Sequence, residues 1–184
     1  MADLGLVRSM HRSCKAAIAL VLILGARLSA SAAEPVTGGP PRGSVIEFGI
    51  IKSVGSTERT RNPETLDGMQ SAAHGPKFGE HTTRIPAKLG TSFGFWFQLT
   101  GITERDSVEL KKVVKHPLMK NSRGQDEVQY TTSGTMPVTN GTVFAGAAYR
   151  LDRPEELKPG GWTFEIFYHG QKLVSQSFTI YAPK

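Results

Sequence analysis

His74, Glu80 and His81 share one polar stretch of the chain, and His116 stands just before Pro117 at the end of an apolar-alternating run. Neutral imidazole and carboxylate suit zinc or copper. His74, His81 and His116 are therefore the candidate metal ligands, and the same groups could serve a small hydrolase. Their spacing argues for a plainer role. His74 and His81 are seven positions apart, with no H-x-x-x-H or H-E-x-x-H arrangement to set two imidazoles on one helix face. They read as solvated loop histidines, with His116 capping a strand ahead of Pro117. No G-x-S-x-G elbow presents a serine nucleophile. Glu47, Glu109, Glu127 and Glu165 alternate with apolar residues, as on the wet face of a sheet, and no pair of them stands out as matched acid and base. The glycines are scattered and form no phosphate cradle; Gly49, Gly94 and Gly146 fall inside strands, where they mark a bulge or a close approach. No catalytic residue, metal or other cofactor is assigned, and the chain is expected not to be an enzyme.

Binding by aromatic side chains is the remaining chemistry. Trp96 and Phe167 each point away from the main apolar stripe of their strands. Exposed together, they would make a stacking platform for a sugar or a peptide groove. Buried under the segment 54–79, they would be packing.

The elements that position these groups are strands. In LKPGGWTFEIFYHGQKLVSQSFTI (157–180), Pro159-Gly160-Gly161 opens a turn, and Trp162, Phe164, Ile166 and Tyr168 then recur at period two, on one face of a strand. His169-Gly170 makes a two-residue turn of type I′. The return strand sets Val174, Gln176, Phe178 and Ile180 on one face. Further strands are expected at 44–53, 81–85, 91–100, 107–115, 128–132 and 142–150, with Pro117 ending the fourth of these. In 91–100, Phe93, Phe95, Phe97 and Leu99 share a face. Residues 152–158 form a connector with one helical turn. The stretch 54–79 is polar and without periodicity, and is expected to be a long loop. Seven to eight strands with turn signals between them make an all-β domain, an antiparallel immunoglobulin-like β-sandwich over 44–184. A closed barrel is the alternative.

The first 33 residues read as a signal peptide. Arg8, Arg12 and Lys15 precede the apolar run AAIALVLILGA (16–26), which is too short to span a membrane, and small residues at 30–33 fit a cleavage site after Ala33. Residues 34–43 form a Pro/Gly-rich leader, expected to be disordered. The only cysteine, Cys14, lies in the segment to be removed, so the remaining chain has no disulfide and no thiol chemistry. The same segment holds four of the Lys/Arg residues and one acid, so its loss takes the formal charge from +6 to +3. That is an ordinary surface, without the dense basic stripe of a nucleic-acid binder. Lys111, Lys112 and Lys115 read as a solvated strand face.

The ordered set IEFGI (46–50), RIPAKLGTSFGFWFQL (84–99), KHP (115–117) and the PGGWTFEI hairpin resembles a family of small exported bacterial proteins described as domain of unknown function 3859. The resemblance covers 44–180. It implies an immunoglobulin-like fold and export, and it implies no catalytic residues.

The sequence thus points to an exported periplasmic or secreted β-sandwich, a binding or structural module of the bacterial cell envelope, with an envelope protein or peptide as its partner. It is expected to have no membrane span once the signal is cleaved. A metal-binding protein or hydrolase, and a carbohydrate-binding module, are the alternatives. Mass spectrometry of the exported protein checks the N-terminal reading: the chain should begin at Glu34, and one that begins before Leu20 would remove it.

Overall fold

The computed structural model describes residues 39–53, 57–66, 68–73 and 77–183. The expected signal peptide, His74 and residues 34–38 of the leader lie outside the described residues, while the last two residues of the leader, Arg42 and Gly43, are not disordered but open the first strand. Eleven strands follow in order: β1 (Arg42–Ser53), β2 (Thr57–Arg61), β3 (Met69–Ala73), β4 (Lys77–Glu80), β5 (Arg84–Pro86), β6 (Ser92–Thr100), β7 (Ser107–Lys120), β8 (Asp126–Pro137), β9 (Thr142–Arg150), β10 (Gly160–Tyr168) and β11 (Gln171–Tyr181). A 3₁₀ turn at Pro154–Leu157 supplies the expected helical turn of the last connector. A four-stranded front sheet runs β4-β1-β6-β9, a five-stranded back sheet runs β5-β11-β10-β7-β8, and β2 pairs β3 as a separate hairpin. Each main sheet ends on two different strands, so the fold is an open sandwich and not a barrel. All the pairings are antiparallel except β5 with β11.

Period-two alternation builds the core between the sheets. Phe93, Phe95, Phe97 and Leu99 of β6 are all at most 2% exposed, and Trp162, Phe164, Ile166 and Tyr168 of β10 are buried opposite them. The Phe93 ring meets Trp162, Phe164 and Phe178 edge-on, at centroid distances of 5.9, 6.0 and 5.1 Å. Such pairs add about 0.5–1.5 kcal/mol each beyond the burial itself. Between β10 and β11, His169 and Gly170 both take positive φ, 46° and 80°, the geometry of a type I′ turn.

The structure departs from the sequence reading in four further places. The stretch expected to be one long loop, 54–79, carries β2, β3 and most of β4, and Leu66 between β2 and β3 is fully buried in the core. These strands are short and polar, so they leave no periodic signal. Pro117 does not end its strand. The β7–β8 ladder shifts register between Lys115 and Met119, so Pro117 falls where no regular ladder bond is required of it. His116 is therefore inside β7 and not a cap; it is 6% exposed and packs on Trp162 and Tyr130. Lys112 does not belong to a solvated face. Its parity matches the buried Val108, Leu110 and Val114, it is half-buried, and desolvation lowers its ammonium pKa.

Two buried ionisable groups carry testable consequences. Glu156 in the 3₁₀ turn is wholly buried, and both carboxylate oxygens are used. Oε1 accepts from Tyr149 Oη (3.0 Å) and Arg153 Nε (2.8 Å), and Oε2 accepts from the backbone amides of Asp152 (2.8 Å) and Arg153 (3.1 Å). Removing it leaves two amides without their acceptor and takes from the partly buried guanidinium its shorter ion pair, leaving the one with Glu155 at 3.1 Å. Glu156→Ala should cost about 3–5 kcal/mol in denaturant unfolding, and Glu156→Gln less, because the amide still accepts. An alanine variant within about 0.5 kcal/mol of wild type would contradict this.

His116 Nδ1 donates to the Pro117 carbonyl at 2.9 Å, while its buried Nε2 has no partner. Burial lowers its pKa, against a smaller upward pull from that bond and from Glu127 and Glu156. The folded state thus prefers neutral His116, and the unfolded chain takes up a proton first as pH falls through about 6.5. Its stabilising contribution is complete above that pH and declines below it. The thermal midpoint should fall between about pH 7.5 and 5, and the fall should be smaller in His116→Phe; an equal fall in both proteins would refute the assignment.

Candidate binding surface

The outer face of the front sheet is set by the residues that alternate with its core positions. On β6 the outward parity holds Trp96 and Gln98, and on β9 it holds Phe144, Gly146 and Ala148. Trp96 is paired with Gly146 across the two strands. The missing side chain lets the indole lie across β9: a Cβ on Gly146 would come within 2.9 Å of the ring. Phe144, two residues before Gly146, stacks on the indole at 5.1 Å and 20° between planes, and is 56% exposed. On the other flank of β6, the β1 ladder skips a residue between Val45 and Glu47. That bulge turns Ile46 outward, 52% exposed, beside the register position of Trp96. Ile46, Trp96 and Phe144 thus form an apolar patch across three strands. Its rim is polar: Gln98 follows on β6, and Glu47 lies 3.4 Å from His81 Nε2.

The outer face of the back sheet is charged. Glu165 is held between Lys115 Nζ and Lys172 Nζ, each at 3.0 Å, and their hydrogen bonds lower its pKa. Phe167 lies on this face, with Lys111 Nζ 5.2 Å from its ring centroid. It lines a groove of about 460 Å³ together with Glu104, Ser107, Ser133 and His169. Glu104 latches the groove to the β10–β11 turn. Its Oε2 accepts from Tyr168 Oη at 2.9 Å, and its Oε1 lies 2.8 Å from His169 Nε2. Burial pushes the Glu104 carboxyl up, but hydrogen bonds from its own amide, Tyr168 and His169 outweigh that and hold it low. The latch helps hold His169 in the left-handed conformation that the turn requires.

Trp96 and Phe167, the two aromatic candidates from sequence, are therefore on different sheets and share no platform. The partner of Trp96 is Phe144, which the sequence reading did not single out. Its signal was present: in VFAGAA (143–148) it is the only bulky residue at outward parity. His81 and His116 are not brought together either. His81 is exposed beside Glu47, His116 is buried in β7, and His74 lies outside the described residues. Among the described residues, no three of His, Cys, Asp and Glu are grouped to hold a metal ion.

No curated protein matches this chain. An immunoglobulin-like protein from Pseudomonas aeruginosa, known from its crystal structure, superimposes with a TM-score of 0.53 at 24% identity, over 78% of this chain and 98% of its own. That likeness shows the fold. An alkylpurine DNA glycosylase from Pseudomonas fluorescens, bound to DNA with an abasic-site analogue, gives a TM-score of 0.37 at 16% identity, over 54% of this chain and 28% of its own, which is too slight to bear on this protein. The sequence profile of the domain of unknown function DUF3859 matches residues 41–180, from the start of β1 almost to the end of β11, and the chain belongs to that family.

Proposed function

We propose that this protein is an exported, non-catalytic module of the bacterial cell envelope that binds a protein or peptide through the outer face of its front sheet. The observation that carries this reading is the Trp96–Phe144 stack, in which Phe144 is 56% exposed, with exposed Ile46 on the strand beyond Trp96. A monomer gains nothing from leaving such groups together in water, and covering one large apolar side chain is worth about 1.5–3 kcal/mol. The polar rim of Gln98, Glu47 and His81 around an apolar centre is the usual anatomy of a protein interface. A sugar platform needs an open aromatic face. Here Trp96 and Phe144 each cover a face of the other, which suits contact with apolar side chains better. The export part of the reading is supported by the N-terminal basic-apolar-small pattern and by the confinement of cysteine to that segment.

The test is to use wild type and Trp96→Ala as bait against the envelope fraction. The variant should stay folded, losing about 1–2 kcal/mol of stability, and should release a partner that wild type retains. A Trp96→Ala protein that is folded and keeps every partner would refute the surface.

A further inference from the structure

The two main sheets have four edges, and two of them, β4 and β5, are blunted along their length. β4 is four residues long, starts and ends on Lys77 and Glu80, and pairs β1 through two register shifts. β5 has three residues and ends on Pro86. β8 has such features only at its ends, Asp126 and Glu127 before the register shift with β7 and Pro137 last, and pairs β7 in unbroken register from Gln129 to Pro137. Charge, proline, brevity and irregularity are the devices that keep sheet edges from pairing. β9 has none of them: nine residues, no proline, and unbroken register with β6. Its one charge, Arg150, is its last residue and is already paired with Asp152 at 2.8 Å.

The ends of β9 fix which backbone groups face the free edge. Thr142 spends its N–H and C=O on Thr139, across a tight turn on the side away from β6 (3.0 and 2.8 Å). Leu151, just past the strand, spends its own on Thr91 and Gly90, at the β6 side (2.9 and 2.7 Å). Antiparallel strands alternate, so Phe144, Gly146 and Ala148 direct their N–H and C=O groups outward. Among the described residues no strand pairs with that edge.

We infer that this edge pairs with the same edge of a second copy, antiparallel, about a two-fold axis through Gly146. The open window 144–148 is centred on Gly146, so Phe144 falls opposite Ala148 of the other copy and each glycine opposite the other. Every outward N–H and C=O in the window then finds a partner. Bulk meets small side chain at each pair, so the Phe144 ring needs no rearrangement. The window carries no charge, and the two Arg150 side chains lie at opposite ends, about 27 Å apart by strand rise and well beyond the screening length. The front sheets join into one continuous sheet. This inference does not rest on the outer-face reading: the edge can pair while the face binds nothing, and Trp96→Ala and Ala148→Lys separate the two.

Sedimentation over a concentration series, with hydrogen exchange on the same samples, tests it. The chain should dimerise, with the amides of Phe144, Gly146 and Ala148 gaining protection as dimer forms. Ala148→Lys, at an exposed site, should raise the dimer dissociation constant about tenfold or more. Register is tested in the full chain carrying Cys14→Ser. A mixture of Phe144→Cys and Ala148→Cys proteins should form a disulfide-linked pair on mild oxidation, because directly opposed residues lie within disulfide reach. Neither variant alone should do so. A chain still monomeric at about 1 mM, a dimer that leaves the three amides unprotected, or amides protected only when a different protein is added would each overturn the inference.

Discussion

The sandwich is joined where Phe93 of the front sheet enters the back sheet and meets Trp162, Phe164 and Phe178 edge-on. Both sheets commit one face to this contact, and because strand side chains alternate, everything on the opposite faces follows from it. Phe93, Phe95, Phe97 and Leu99 inward put Trp96 outward. Trp162, Phe164, Ile166 and Tyr168 inward put Glu165 and Phe167 outward. A one-residue slip would exchange the two sets and put the aromatic row of β6 in water, so the register is held by most of the core. The aromatic patch on the front and the lysine–glutamate lattice on the back are thus products of the same constraint.

One polar interaction closes what the rings leave open. The chain crosses from the front sheet to the back between β9 and β10, and this largely exposed crossover turns one buried side chain, Glu156, back onto its own backbone. Glu156 does this by accepting from the amides of Asp152 and Arg153, while Tyr149 and the Arg153 guanidinium fill its other oxygen. Arg153 Nη2 also lies 3.5 Å from the carbonyls of Leu66 and Lys120. The segment between β2 and β3, the bulged end of β7 and the crossover therefore converge on one buried ion pair. Tyr149 reaches the same place from the aromatic core, its ring 4.6 Å from Trp162.

Much of this was legible in the residues. The faces of β6, β10 and β11 follow from period two, the type I′ turn from a two-residue loop ending in glycine, and β9 was placed at its observed bounds. What failed had physical causes. β2, β3 and β4 are too short and polar for periodicity to mark, and their order comes from pairing partners remote in sequence. Pro117 continues its strand because a register shift, a property of two strands, makes room for it. Residue type alone puts Lys112 on the surface, whereas its parity with Leu110 and Val114 points inward. Trp96 and Phe167 were rightly placed opposite the stripes of their own strands. Parity within a strand is local, but which sheet a strand joins is tertiary, so no reading of either strand alone could have parted them.

β9 shows how one requirement can leave a mark on another surface. Its inward positions include Ala145 and Ala147, small residues on the strand that neighbours the Phe95 and Phe97 positions of β6. Its outward positions include Gly146, small because the Trp96 indole lies across it, and Ala148 beside it. Beside Phe95 and Phe97 on the inner face and Trp96 on the outer, the middle of the strand (145–148) holds only small residues, and its bulk stands towards the ends, at Val143, Phe144 and Tyr149. A lysine at Gly146 would displace the indole, and one at Ala145 or Ala147 would put a charge between the sheets. The charges that blunt an edge such as β4 are therefore closed to the middle of this one. An edge so constrained stays regular, in unbroken register with β6, with its outward amides and carbonyls facing away from that strand. The packing that fixes the aromatic face is in this way also the reason the neighbouring edge is open to a strand.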